Sequence, residues 1–558
     1  MPYPVENSAD GARAVVKGGF QYKMNGKKMT RKIEDAKDGN RNVDNSYSSV
    51  HVCGKLVASN LSEVILHSLS LSDSEKKIKE PYRSEFKNTR GYFEMSSDES
   101  KVFNDCIHDY ISFPELCVCI IDTPEFQRLR RLRQLGVTHY VYPNATHTRF
   151  QHCLGVGHLA GEFARCIQRQ DPNLVSDVDI LCLQIAGLCH DLGHGPFSHL
   201  WEVFMSRANA KQKWTHEENS IKIFDKLIEK NGLGPLFKKN GLNENDIIFI
   251  KEAIGGPLGD DGRTYKGRGP EKYFLYEIVA NKTTGIDVDK LDYFQRDEYY
   301  LNVGTVFKYE RLVHFMKVFE VNGKNRLCIR DKEAKCLSDI FMDRSRLHDR
   351  AYQHRVVQNI QQMVLDALIL AEPVITIKNS KKNLISLSEA THDLDAFQLL
   401  VDDYIFFKIM DSDDPRIVPA QNLLRRIETR DFYSLVSEWT PPHGLTLSKK
   451  LNLNKMLDVF TQVHPIPDSW GLSIKDFGLA FKVIDLGEGD KKRKVIFYDK
   501  NNCITNEIGI HGLINVPSVT LYFLMKESSQ IINPNVHEIV RKWIRYLENN
   551  IESCLTDM

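Results

Sequence analysis

Four ionisable side chains crowd the stretch Leu181–Leu200, LCLQIAGLCHDLGHGPFSHL: His190, Asp191, His194 and His199. Imidazole beside carboxylate is a ligand set for a divalent transition metal. The His-Asp pair alone carries no such meaning, because it recurs at His108-Asp109, His348-Asp349 and His392-Asp393. Most such pairs are surface or capping residues. What separates His190-Asp191 is the apolar segment before it and the two histidines after it.

Those side chains need an element to hold them. Leu181, Ile185 and Leu188 fall at i, i+4 and i+7, the stripe of a helix packed into a core. The spacing predicts a helix that runs into His190-Asp191, breaks at Gly193 and restarts after Pro196. A second candidate lies at Ile286–Asp297, IDVDKLDYFQRD, where Asp289, Tyr293 and Asp297 share one helical face anchored by Leu291 and Phe294. That face reads equally as a site wall or as charged surface. A helix from about 343 to about 372 carries Arg344, His348 and Tyr352 in one row, and Arg350 and His354 in another.

Asp122-Thr-Pro-Glu is a helix start, with a cap, a proline in the first turn and an acid three residues on. Phe126, Leu129 and Leu132 point inward, and Gln127, Arg128, Arg130, Arg131 and Arg133 outward. Such an arginine run is a solvated face or a polyphosphate site, since guanidinium binds phosphate oxygens in pairs. Tyr140-Val-Tyr-Pro then leads to His147–His152 and an apolar helix at 154–168. Trp214-Thr-His-Glu217 opens another helix capped by Thr215, and residues 255–270 read as a Gly-rich surface loop.

The chain has 558 residues, 42% hydrophobic and 27% charged, which fits two or three globular domains. Lys+Arg and Asp+Glu balance at 74 each, so net charge points to no nucleic-acid or membrane partner. No run spans a bilayer, and no signal peptide opens the chain. Twelve cysteines without a CxxC pair indicate a reduced intracellular protein, nuclear or cytoplasmic.

Residues 1–98, rich in Ser, Asn, Lys and Asp, read as largely disordered. Within them Leu56–Leu71 is one helix or hairpin, and Lys27–Lys32 is a solvated basic patch or an import signal. The core occupies 99–435. Beyond about 375 the pattern becomes mixed, with helices expected at Ser386–Ile409 and Pro419–Trp439 and strands at Leu479–Ile484 and Lys494–Tyr498, and a smaller α+β lobe occupies 436–558. The fold class is mainly α.

His152, His190-Asp191 and Asp289 together make an H…HD…D set, and this resembles the HD-domain metal phosphohydrolases. Arg149-Phe-Gln-His152, Cys189–His199, Trp214-Thr-His-Glu217, Gly285–Lys290 and Arg350-Ala-Tyr-Gln-His354 bring it closer still, to the SAM-and-HD-domain deoxynucleoside triphosphate triphosphohydrolases. The likeness runs from about residue 101 to about 435. Residues 1–98 do not read as the SAM helical bundle that vertebrate members carry.

The resemblance implies an HD helical core that hydrolyses a dNTP to deoxynucleoside and triphosphate. His152, His190, Asp191 and Asp289 would hold one iron, manganese or zinc ion, and Mg2+ would come with the triphosphate. The 5′-alkoxide is a poor leaving group, so a general acid is needed. The motif gives that role to His194, with His216, Glu217 and Asp297 beside it. His199, Arg149, Lys290 and Arg344 match triphosphate contacts. Tyr293, His348, Tyr352 and Gln353 match the sugar and phosphate wall, and Gln134 the reader of the 3′-hydroxyl. Leu135 with Tyr352 would press where a ribose carries its 2′-hydroxyl, whose burial without a partner costs roughly 1–3 kcal/mol.

The resemblance also implies activation by GTP or dGTP and then a dNTP, bound between subunits of a homotetramer. The guanine site maps onto Lys101, Val102, Asp122, Gln127, Arg130 and Arg430. The adjoining dNTP site maps onto Asn104, Val141, Tyr142, Arg311, Lys332, Arg350, His354 and Arg355. Here Cys336 stands where the family usually has asparagine, and Arg355 where lysine is usual. The rivals are an HD phosphodiesterase or 5′-nucleotidase, and a silent HD protein that binds single-stranded nucleic acid.

Overall fold

The computed structural model describes residues 101–556 except 210–212, 259–263, 305–308, 442–452, 485–493 and 510–517, and three short strands before them. The chain divides into two units, Met1–Gly91 and Tyr92–Met558. In the first, β1 (Val15–Val16), β2 (Phe20–Asn25) and β3 (Lys28–Lys32) form an antiparallel sheet in that order. Most of the Lys27–Lys32 cluster is therefore strand. Leu56–Leu71 lies outside the described residues.

The second unit is mainly α. It opens on a hairpin, β4 (Lys101–Asp105) and β5 (Asp109–Phe113), which the sequence pattern did not reveal. Helices α1 (Arg149–Gln170) and α2 (Asp177–Cys189) follow and pack together at the centre. Capping boxes fix both starts, Thr148 with Gln151 and Ser176 with Asp179. Helix α2 is apolar almost all round, with Cys182, Leu183, Ile185, Ala186 and Leu188 fully buried, as a central helix must be. The pair cross closely because glycines meet: a Cβ on Gly187 would stand 2.9 Å from the Gly157 Cα.

Next come α3 (His199–Ala208), α4 (His216–Lys230, capped by the Thr215 side chain) and α5 (Glu244–Gly255), which packs on α2. Helix α6 (Val288–Leu301) lies on α1 and buries Leu291 and Phe294. A second hairpin, β6 (Met316–Val321) and β7 (Lys324–Arg330), precedes α7 (Ala334–Leu347) and α8 (Arg355–Ala371). Helix α9 (Val418–Glu428) packs on α8.

The smaller C-terminal lobe contains sheets. Strands β8 (Ser434–Trp439) and β9 (Phe477–Ile484) flank β12 (Ser518–Met525), and α10 (Pro534–Thr556) covers them over a core of Trp439, Phe460, Phe523 and Trp543. Strands β10 (Lys494–Tyr498) and β11 (Ile504–Gly509) instead extend the β6–β7 hairpin. There β10 runs parallel to β7, Phe497 opposite Ile329. The two expected strands are thus present.

Several local expectations need correction. After Cys189 the helix restarts at His199, not after Pro196, because Phe197 and Ser198 both take positive φ, 60° and 63°. Left-handed backbone in a phenylalanine is strained and tends to mark functional sites. The arginine-rich segment is helical at Pro124–Gln127 and 3₁₀ at Arg128–Arg131, and Arg128 points inward. Its guanidinium donates to the carbonyls of His194 and Leu400 at 2.9 and 2.6 Å.

The helix expected from 343 to 372 breaks, because His348–Tyr352 form a π turn and His354 caps α8. Ser386–Ile409 splits into three helices, and Pro419–Trp439 ends in β8 after a positive φ at Arg430.

Candidate active site

The crossing of α1 and α2 brings the His152 and His190 rings to 5.2 Å between centroids. Helix α6 supplies Asp289, whose Oδ1 lies 3.0 Å from His152 Nε2 and 3.6 Å from His190 Nε2. Asp191 completes the group, with Oδ1 3.4 Å from His190 Nε2 and Oδ2 3.8 Å from His152 Nε2. His190 Nδ1 donates to the Gly187 carbonyl at 2.7 Å, and His152 Nδ1 to Asp292 Oδ2 at 2.8 Å. Both imidazoles therefore turn their Nε2 lone pairs toward the carboxylates. Both Nε2 atoms are buried without a hydrogen-bond partner.

His152, His190 and Asp289 bring their ligand atoms within 4.8 Å of one another, with Asp191 beside them, a donor set that fits a divalent metal ion. Burial alone would lower the His152 pKa, but the carboxylates of Asp289 and Asp292 overcome it and push it up to about 10. His190 is raised likewise, burial opposing and Asp191 and Asp289 prevailing. The carboxylates around the two rings thus demand positive charge between them.

Beside this group lies a histidine cluster. His194 Nε2 approaches Asp191 Oδ1 at 3.3 Å, while its Nδ1 is buried and unpartnered. His216 stacks on it at 3.9 Å. Burial, then the charges of Arg149 and His216, hold His194 well below the ordinary imidazole range. The partner of His216 is Glu202, which sequence reasoning missed. Glu202 accepts from His216 Nδ1 and is closer than Glu217, at 3.5 Å. The i, i+3 spacing of His199 and Glu202 on α3 was the available signal. His199 itself is 72% exposed at the mouth.

A cavity of about 590 Å³ joins these groups. Its walls include Gln134, Leu135, Arg149, His199, Lys290, Tyr293, Asp297, His348, Tyr352 and Gln353. The Asp289–Asp297 face of α6 is therefore a site wall. Arg149 donates to Asp191 and to Ser198, which the strained turn presents. Lys290 pairs with Asp287 at 3.0 Å. Burial pushes the Tyr293 phenol up to about 12. Arg344 does not line the cavity, although its charge acts on Tyr293 and Tyr352. The Gln134 Oε1 is buried without a partner, as a hydroxyl reader requires.

Two further residues escaped the sequence reading. His147 Nε2 bonds Asp297 Oδ1 at 2.7 Å. Asp292 is fully buried and holds His152, His108 and Arg296 at once.

The residues matched to nucleotide sites lie apart from the cavity. Lys101 Nζ stands 3.5 Å from Asp122, and Arg130 donates to Gln127 at 2.8 Å. Arg430 instead donates to the Tyr140 carbonyl at 2.6 Å. Tyr142 donates to the Arg350 carbonyl at 2.5 Å, its ring 6.3 Å from that of His354. Arg311 pairs with Glu333 at 2.9 Å, and Lys332 sits 3.7 Å over the Phe315 ring. Half-buried Cys336 lies near Arg311 and Glu333. Val102 is exposed on β4, which also carries Asn104.

The HD domain family model matches residues 149–254, the segment from Arg149 to the end of α5. Deoxynucleoside triphosphate triphosphohydrolase SAMHD1 of Danio rerio is 42% identical over 431 residues, 75% of this chain and 68% of the relative. The protein of the same name from Bos taurus is 44% identical over 414 residues, 73% and 70%. A putative HD domain-containing protein of Acanthamoeba polyphaga mimivirus is 31% identical over 474 residues, 78% and 94%. With these relatives, and with its own H…HD…D group assembled on three helices, the chain belongs to the SAMHD1 family of deoxynucleoside triphosphate triphosphohydrolases.

Proposed function

We propose that this protein hydrolyses dNTPs to deoxynucleoside and intact triphosphate. The observation that carries the reading is the pair of orphaned Nε2 atoms of His152 and His190 facing Asp289 in a cavity that Arg149 and Lys290 also line. His152, His190, Asp191 and Asp289 would hold one transition metal, iron, manganese or zinc, which would supply Lewis-acid polarisation of the α-phosphate and a more acidic water. Mg2+ accompanies the triphosphate.

Arg149, Lys290 and Arg344 offset the triphosphate charge, with His199 at the mouth. His194 is the proton donor. Its Nε2–H is given to Asp191, so the second proton sits on Nδ1 and passes to the 5′-oxygen as it leaves. Neutral in the free protein, His194 gains that proton when the triphosphate brings negative charge beside it. His216, stacked on it and held by Glu202, keeps the His194 ring in place, with Glu217 flanking. Asp297 has both oxygens engaged, by His147 and Tyr352, so it positions the sugar wall of Tyr293, His348, Tyr352 and Gln353 rather than abstracting a proton. Gln134 reads the 3′-hydroxyl, and Leu135 with Tyr352 excludes ribose.

Activation follows nucleotide binding between subunits. GTP or dGTP occupies Lys101, Val102, Asp122, Gln127, Arg130 and Arg430. A dNTP occupies Asn104, Val141, Tyr142, Arg311, Lys332, Arg350, His354 and Arg355 and completes a homotetramer. Cys336 removes a polar contact from that second site. No disulfide joins the ten cysteines with described side chains, in keeping with a nuclear or cytoplasmic protein. No helix among the described residues is long and apolar enough to cross a membrane.

Chromatography of the products from dGTP, with and without GTP, tests the reading. Triphosphate and deoxyguanosine are expected. Release of orthophosphate or dGMP refutes it.

A further inference from the structure

The metal ligand His152 is not held by its own helix alone. Its Nδ1 donates to Asp292 Oδ2 at 2.8 Å, 140 residues along the chain, and the other Asp292 oxygen accepts from His108 Nε2 at 2.7 Å. His108 belongs to the turn between β4 and β5, and its side chain is 1% exposed. Because the Asp292 carboxylate can only accept, His108 donates from Nε2, and its Nδ1 accepts from the Tyr309 hydroxyl at 3.3 Å.

The turn is pinned a second time. Asp105 accepts from the backbone amides of Ile107 and His108 at 2.9 and 3.1 Å, shaping the turn. It also pairs with Arg296 at 2.9 Å, and Arg296 binds Asp292 from the opposite side, at 2.9 Å. Arg296 and Asp292 are fully buried, and Gly155 of α1 lies against both: a Cβ there would overlap the Asp292 carboxylate. Nothing in this assembly has room to tilt independently. If the hairpin lifts, Asp292 loses one of its two imidazole partners and His152 loses its fixed orientation.

We propose that the β4–β5 turn is a strut for the metal site, with His108 its positioning residue. Through it, a nucleotide seated against the hairpin tightens metal binding at His152. The second clause rests on reading Lys101, Val102 and Asn104 of the same hairpin as activator contacts. Coupling of this kind is reciprocal, so metal also tightens the nucleotide. Residues that hold a ligand's second nitrogen typically change metal affinity 10–100-fold when removed.

The test uses the full chain stripped of metal and titrated with Mn2+, followed by electron paramagnetic resonance. Titrations run alone and with GTP plus a non-hydrolysable dNTP analogue; GTP binding is measured separately by equilibrium dialysis. The parent is expected to bind Mn2+ severalfold more tightly with nucleotides present. His108→Phe, which removes the donor to Asp292, should bind Mn2+ about tenfold more weakly without nucleotide and lose the nucleotide increment while still binding GTP. Parent-like Mn2+ affinity in H108F overturns the strut. Asp105→Asn, which weakens the pin between the turn and Arg296, decides if H108F fails to fold: a weakened Mn2+ site supports the proposal, and the parent value overturns it. Failure of the parent to bind GTP refutes the activator reading and with it the coupling, while the nucleotide-free titrations still judge the strut.

Discussion

Tyr352 donates its hydroxyl to Asp297 Oδ2 at 2.5 Å, across a π turn that interrupts what the sequence presents as one long helix. His147 occupies the other Asp297 oxygen. The carboxylate is therefore a bracket that sets where the Tyr352 ring stands, opposite Leu135 in the cavity wall.

From this bracket follows the sugar choice. dNTPs should be hydrolysed and NTPs not, by a margin of roughly 1–3 kcal/mol in kcat/KM for a buried hydroxyl left unpartnered. Leu135→Gly should narrow that margin. Competition kinetics with dGTP and GTP measures it, and equal turnover by the parent removes the gate.

Asp289→Ala should abolish turnover and deplete bound metal, because a second carboxylate is lost from the ligand group. Asp289 is 31% exposed in its side chain, so far-ultraviolet circular dichroism should stay at the parent value. Elemental analysis checks the metal content. A replete, active variant would mean the ion sits elsewhere.

The proposed regulation hangs on Asp122, paired with Lys101 at 3.5 Å. Guanine offers N–H donors to a carboxylate where adenine offers an acceptor, so GTP but not ATP should prime assembly. A ligand drives assembly only through its higher affinity for the assembled state. Asp122→Ala should remain small in light scattering with GTP and dNTP, and lose most activity while retaining metal. Normal assembly in this variant would return these residues to a solvated face.

Burial, then the Arg133 guanidinium, hold the His139 imidazole below its ordinary range. The folded protein binds fewer protons there than the unfolded chain, so stability falls as pH drops through about 6.5. Urea midpoints at about pH 7.5 and about pH 5.5 should show a smaller acid loss in His139→Gln than in the parent. An identical loss would assign the acid sensitivity to other groups.

The convergence of the candidate metal group was legible because its residues sit on strongly periodic helices: Leu181, Ile185 and Leu188 place His190, and Leu291 with Phe294 place Asp289. The shared face of Asp289, Tyr293 and Asp297 needed only the helical repeat. What escaped depends on partners far along the chain. Arg128 looked solvated because its acceptors, the His194 and Leu400 carbonyls, are backbone atoms that no pattern marks. Asp292 reads as one more surface acid until His108, 184 residues away, is brought against it. Nor does a propensity rule place positive φ at Phe197, where the Asp402 carboxylate accepts its amide at 2.7 Å.

The parallel pairing of β7 with β10 bears on how the chain is made. Ile329 and Arg330 leave the ribosome long before Phe497 and Tyr498, the residues that cover their outer edge. Until then β7 is a bare strand edge, open to pairing with another nascent chain. Arg330 and Lys324 at its two ends supply charge that discourages such pairing in the interval. A chain halted before residue 494 would carry the residues of the candidate metal group and of the cavity wall, yet be prone to aggregate.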